Sequence, residues 1–541
     1  MIGTRRMTGM ARGVVASVAA TALLVGACAD VDDEADVATV DEDAGDEATD
    51  DEPTDDESAD DSGGSVDFGS LTYEEMQAAR ADVPIAEDLP DFGGVTVRVM
   101  GDAGHNMNPF GFWMPEFEQA GINIEVIEVP FAEVYSQQMA EFLAGSGNTD
   151  LVVFYPSFIG DYAGNDFIQP LDGFMEEYDP ELDDVFTAFR ELYLGWDGQT
   201  YALPFDGDVT MLQYRQDLLD DPDEQAAFED EYGRELTVPE TWDEYLEVGE
   251  FFTREAGDTL GGETLDRDFY GCAEYGQRGF AYAWYMNRFA SMGGVYFDED
   301  MTPQIDSPDA IEGLELMKAA VDTCSPPDVL NMGYDELRDI FVNGDAFMVV
   351  QWSDVPKKAG DPEESSIPGL AGYAMVPGTE MGDGTINHRS TMPVGRVFGI
   401  PTDAPNPEAA YWVAWFLTTQ TSLFDVSTSL TGLDPYRESH RDPAMYTMFG
   451  DEAEAESYLD AVAAVLEVGF PEISIPGSAQ YNEALDVAVT QALAGESSPA
   501  DALADAATEW ERITESQGLE RQRELWGSAR ETYRDLGLIN D

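Results

Sequence analysis

Between Gly93 and Pro156, strand-like and helix-like runs follow one another almost without interruption, and no other feature restricts the possible folds so strongly. "GGVTVRVMG" (93–101) places apolar side chains at every second position, the period of a strand. "MPEFEQAG" (114–121) reads as the end of a helix closed by Gly121. "INIEVIEVP" (122–130) is a second strand. "FAEVYSQQMAEFLAGSG" (131–147) has apolar residues at helical spacing and ends in glycines. "DLVVFYP" (150–156) is a buried strand stopped by Pro156. This alternation predicts an α/β fold with a mostly parallel sheet. Ligands of such sheets bind beyond the carboxyl ends of the strands. That directs attention to "GDAGHNMNPFGFW" (101–113) and "FYPSFIGDYAG" (154–164).

Later segments add to the pattern. "WDGQTYALP" (196–204) is a glycine turn flanked by strands. In "LTVPETWDEYLEVGEFFTREAG", Thr241 is the N-cap of a helix, and Glu244 three residues on completes a capping box. "VNGDAFMVVQW" (342–352) is a turn followed by an apolar strand that ends at Trp352. "NPEAAYWVAWFLTTQTS" (406–422) is an aromatic-packed helix, and "SPADALADAATEWERI" (498–513) is a helix capped by Ser498. A chain of 541 residues with 43% hydrophobic residues can bury a large core and divide into more than one domain.

The N-terminus has a different composition. Arg5, Arg6 and Arg12 form a basic start, an apolar stretch covers Val14–Val25, and small residues lead to Cys28. That is a secretory signal, and its apolar run is shorter than the roughly 20 residues of a membrane span. "VGAC" resembles the lipobox of bacterial lipoproteins, which implies cleavage before Cys28 and lipidation of its thiol. A plain secretory signal is the alternative. The Arg5-Arg6 pair hints at twin-arginine export, although large apolar residues do not follow it. Residues 29–70 are dominated by Asp, Glu, Ala, Thr and Ser, too polar for most of their length to bury a core. They are expected to be a disordered acidic tether, carrying the folded body away from an anchored Cys28.

The whole chain carries 111 acidic and 25 basic residues, a formal net charge of -86. Three of the basic residues are lysines (Lys318, Lys357 and Lys358) and the rest are arginines. Such a surface repels phosphate backbones and makes nucleic acid a poor partner. Salt adaptation and a GC-rich genome both account for this balance. Cys272 and Cys324 fall in the body, and in an exported chain an even pair is expected to form a disulfide. No Cys or His cluster has zinc spacing, so neither a metal nor another cofactor is expected.

Eight segments, in order from about residue 93 to 515, resemble the extracellular sugar-binding proteins of ABC importers, the group that includes maltose-binding protein. They are "FIQPLDGF", "DGQTYALPFDGD", "LQYRQDLL", "PETWDEYLEV", "MGGVYFD", "FVNGDAFMVVQW", "NPEAAYWVAWFLT" and "PADALADAATEWERI". The resemblance implies two α/β lobes with a ligand cleft between them. On it, lobe 1 is expected to comprise 92–206 and 373–435, and lobe 2 to comprise 207–372 and 436–541. It also implies a sugar, oligosaccharide or polyol as ligand, permease subunits as partners, and a lipid-anchored monomer on the outer face of the cytoplasmic membrane.

A sugar needs carboxylates and amides for its hydroxyls and flat aromatics for its C–H faces. The positions that combine this chemistry with the family pattern are Asp206 and Asp208 in "PFDGDVTML", Trp352 at the end of its strand, and Tyr155 and Ser157 after the third strand. Trp284 lies ahead of "MGGVYF", Tyr481 lies in "IPGSAQYNEAL", and His105 and Asn108 lie in the first loop. Gly395 and Arg396 stand where many members have paired glycines. Arg396 and Arg437 could each screen a ligand carboxylate. Two function classes remain: a non-catalytic binding protein, for a sugar or for a peptide, polyamine or other cationic solute, and an exported glycoside hydrolase using Asp206 and Asp208. No G-x-S-x-G or H-E-x-x-H motif supports an enzyme.

Overall fold

The alternating apolar residues of the first strand, Val97 and Val99, are fully buried, so the period read from the sequence points one face of this strand into the core. The computed structural model describes residues 71–81, 83, 89–392 and 395–539. The signal (1–28) with Cys28 and the acidic tether (29–70) lie outside them.

The strands that matter to the site are, in chain order, β1 (Val95–Asp102), β2 (Ile122–Val129), β3 (Leu151–Phe154), β4 (Leu203–Pro204), β5 (Thr210–Arg215), β6 (Tyr270–Ala273), β7 (Ala346–Trp352), β8 (Ala371–Ala374) and β9 (Val397–Gly399). They form two sheets, of order β2-β1-β3-β9-β4 and β6-β7-β5-β8. β1 runs parallel to β2 and β3, while β9 is antiparallel to both β3 and β4. In the second sheet only the β6–β7 pairing is parallel. The expectation of a mostly parallel sheet therefore needs correction. The β-α-β units at the start are parallel, but strands that enter each sheet from the other side of the molecule arrive in the opposite direction.

The chain leaves the first sheet after β4, enters the second at β5, and returns at β9. Gly207 lies on the outward passage. A Cβ there would sit 2.1 Å from the Pro435 carbonyl oxygen, so only glycine permits this approach. Cys272 in β6 is bonded to Cys324, the C-cap of the helix Pro308–Thr323. Thr241 caps the helix Trp242–Phe252 by accepting from Glu244 N at 3.2 Å. The Glu244 carboxylate returns to Glu240 N rather than Thr241 N, so the expected capping box is shifted by one residue. Ser498 caps Pro499–Gln517 as expected. Among the described residues, no helix is long and apolar enough to cross a membrane.

Candidate ligand-binding cleft

A cavity of ≈ 420 Å³ opens where the two sheets face each other, a volume within the small-molecule range. Its walls come from the carboxyl ends of strands. Asp102 ends β1 and leads into the loop that carries His105 and Asn106, and Phe131 follows β2. From the second sheet, Trp352 ends β7 and Asp354 follows two residues later. Tyr275 follows β6, and Tyr334 opens the helix Tyr334–Val342. Asp208 enters from the outward passage and Arg396 from the return.

Arg396 is the electrostatic centre. Its Nη2 donates to Asp102 Oδ2 at 2.9 Å, and its Nη1 to Asp206 Oδ2 at 2.5 Å and Asp208 Oδ2 at 3.3 Å. Burial works against its charge, but Asp102 and Asp206 outweigh burial and hold its pKa up. Asp206 Oδ1 accepts from Asp434 N at 2.8 Å, and Asp434 lies 3.3 Å from Lys357 Nζ. The carboxylates of Asp206, Asp208 and Asp434 converge within 4.8 Å. Arg396 and Lys357 already sit among them, so the trio has built-in counter-charge. Burial first, then repulsion from Asp206 and Asp434, raises the pKa of Asp208. Burial and Asp434 likewise raise that of Asp354.

Several buried polar atoms around the cavity have no hydrogen-bond partner among the described residues: Asp208 Oδ1, Asp354 Oδ1, Asn106 Oδ1 and Trp352 Nε1. A buried group left unpaired costs about 1–3 kcal/mol, so these atoms describe the ligand that would satisfy them. The other Asp354 oxygen accepts from Tyr334 OH. The Tyr334 ring lies 5.7 Å from Trp352 and 6.0 Å from His105. Burial and the nearby Lys358 and Arg396 lower the pKa of His105, which keeps its imidazole neutral at pH 7.

Four of the sequence candidates line the cavity: His105, Asp208, Trp352 and Arg396. The others do not. Asp206 is sealed beneath Arg396. Tyr155 is buried behind the same guanidinium, 5.8 Å from it, with its OH unpartnered. Trp284 is fully buried and packs 5.0 Å from Trp352, donating to Val350 O at 2.6 Å, so it positions that ring from behind. Ser157 hydrogen-bonds Glu472. Asn108 donates to Leu430 O at 2.7 Å and, with His105, faces an adjoining cavity of ≈ 390 Å³. Gly395 lets the return passage approach the Asp206 carbonyl oxygen, which a Cβ would meet at 2.9 Å. Tyr481 belongs to the packing of Ser478–Leu493 on Pro499–Gln517, with its ring 5.3 Å from Trp510 and its OH on Thr514. Arg437 is spent on the carbonyl oxygens of Thr418, Glu181 and Pro180. The sequence reading missed Asp102, Phe131, Tyr275, Tyr334 and Asp354. Asp102 ends the first strand and Asp354 stands two residues past Trp352, so the rule that ligands gather at strand ends was signal enough for both. Tyr275 and Tyr334 carry no local mark.

The family model for bacterial extracellular solute-binding proteins matches residues 107–422. A putative binding protein of Brucella abortus (strain 2308) is 24% identical over 237 residues, 43% of this chain and 51% of its own length. A mannitol-binding protein of Pseudomonas aeruginosa is 25% identical over 215 residues, 39% of this chain and 44% of its own. The chain spans about half the length of the curated relatives it matches. Among solved structures, an ABC transporter solute-binding protein from Agrobacterium radiobacter K84 in complex with ribitol aligns with a TM-score of 0.65. The match is 23% identical and covers 79% of this chain and 100% of that one. At that identity the likeness establishes the fold, which is two-lobed α/β.

Proposed function

The chain belongs to the bacterial extracellular solute-binding proteins, and from that premise we propose that it captures a sugar, oligosaccharide or polyol between its lobes and delivers it to an ABC permease. One observation carries the reading. Around a cavity walled by aromatic rings, Asp208 Oδ1, Asp354 Oδ1 and Asn106 Oδ1 need donors and Trp352 Nε1 needs an acceptor. A hydroxyl supplies both, and a sugar ring adds C–H surface for Trp352 and Tyr334. The ribitol bound by the Agrobacterium protein and the name of the Pseudomonas relative support the same class.

The expected lobe boundary at 372/373 needs correction, because β8 (Ala371–Ala374) pairs within the second sheet and the chain returns to the first only at β9. In this proposal lobe 1 is 92–206 with 396–435, and lobe 2 is 207–395 with 436–541. The protein acts as a monomer without catalysis. Asp206, needed by a two-carboxylate hydrolase, is instead committed to Arg396 and Asp434 N. Cys28 anchors the chain by a lipid on the outer face of the cytoplasmic membrane, and Cys28→Ser protein is then released from membranes or left unprocessed. A thermal-shift screen against sugars and polyols tests the function, followed by chromatography of the ligand after incubation. A stabilising ligand recovered intact supports binding. Turnover, or no stabilisation by any member, overturns it.

A further inference from the structure

Five buried carboxylates gather at the cavity and directly behind it: Asp102, Asp206, Asp208, Asp354 and Asp434. Three buried cations face them, Arg396, Lys357 and Lys358, and Lys358 also pairs with Glu364. Negative charge is therefore in excess where water is scarce. Two of the acidic residues that line the cavity have one oxygen engaged, Asp208 Oδ2 by Arg396 and Asp354 Oδ2 by Tyr334, and each has Oδ1 buried with no partner among the described residues. Trp352 and Tyr334 line the same cavity with their rings 5.7 Å apart, and aromatic faces attract cations.

We propose that the cavity selects a polyhydroxylated solute carrying a protonated amine, of the amino-sugar or aminocyclitol class, with the ammonium seated between Asp208 Oδ1 and Asp354 Oδ1 and against the rings of Trp352 and Tyr334. This rests on the solute-binding reading above and narrows its ligand class. A neutral polyol satisfies the hydrogen bonds but leaves the excess charge. A bare polyamine answers the charge but has no acceptor for Trp352 Nε1. An amine and a hydroxyl on one ligand do both.

The charges around the seat give the proposal a second readout. Asp208 is pushed up by burial, Asp206, Asp434 and Asp354 against the pull of Arg396. Asp354 is pushed up by burial and Asp434 against Lys358, Lys357 and the Tyr334 hydroxyl, and neutral His105 lies 3.9 Å away. An ammonium seated between Asp208 and Asp354 acts in the opposite direction and lowers both pKa values, so its binding favours release of any proton they share.

The test titrates the full chain by calorimetry with matched pairs, D-glucosamine against D-glucose and 1-amino-1-deoxysorbitol against sorbitol, and with putrescine. The proposal expects the amine of a pair to bind at least tenfold more tightly than its hydroxyl counterpart. Heats measured in buffers of different ionisation enthalpy should show a proton released on amine binding alone. In Asp354→Asn the pair should come within about twofold. If that variant fails to fold, the proton release by the wild-type chain decides. Equal or tighter binding of the hydroxyl member overturns the ammonium seat while leaving the polyol reading intact. Tightest binding by putrescine overturns the hydroxyl half of the proposal. Failure of every pair to bind overturns both readings.

Discussion

Arg396 and Asp206 meet at 2.5 Å with both side chains out of solvent, and they come from opposite passages of the chain between the sheets. The pair ties the outward passage to the return at the floor of the cavity. Because Arg396 also holds Asp102 and Asp208, removing it strands three carboxylates at once. Arg396→Met is expected to lower the unfolding free energy by about 3–5 kcal/mol, the range for breaking a buried ion pair from one side. Denaturant unfolding measures this. A loss below about 1 kcal/mol would mean that solvent screens the cluster.

The disulfide has a separate role. Cys272–Cys324 spans 52 residues of sequence and ties β6 to the end of the helix behind it. In the chain-entropy picture a loop of this size contributes roughly 4 kcal/mol. The double variant Cys272→Ser, Cys324→Ser should lose about that much or less, with ligand affinity nearly unchanged because neither residue lines the cavity. Mass spectrometry of unreduced peptides should recover the linked pair. Two free thiols would contradict it.

Glu472 makes stability depend on pH. Burial pushes its pKa up to about 8 from 4.5, against the hydrogen bonds from Tyr282 and Ser157. The folded state thus binds a proton that the unfolded state releases, so this contribution is full below about 4.5 and is lost as pH rises through about 8. Stability should fall across that window with a slope from this group of at most about 1.4 kcal/mol per pH unit. Glu472→Gln should flatten the curve by that amount. An unchanged slope would show that Glu472 is ionised in the folded protein.

Much of the fold was legible because local signals and tertiary demands agreed. The period of Val97 and Val99, Gly121 with φ +68 closing its helix, and Ser498 at its cap each give a local rule that the packed structure keeps. Strand direction was not legible, because β5 and β9 are set by the passage between sheets and no local pattern encodes it. Of the eleven candidate site residues, four face the cavity. His105, Asp208, Trp352 and Arg396 line the cavity, but Trp284 and Tyr481 have the same chemistry and serve packing. An aromatic residue looks alike in sequence whether it faces a cavity or stands behind the ring that does. Tyr334 was missed because its role arises from Asp354, across a helix start and a strand end that only the fold brings together.

Trp352 gives the most direct test. Once the screen yields a ligand, the wild-type chain and Trp352→Ala should be titrated with it by calorimetry, alongside the melting of each free protein. The account predicts one site per chain and a loss of about 2 kcal/mol or more in the variant, about 30-fold in affinity, with cooperative unfolding retained. If Trp352→Ala binds as the wild type does but melts far earlier, Trp352 is a packing residue and the cavity is not the recognition site.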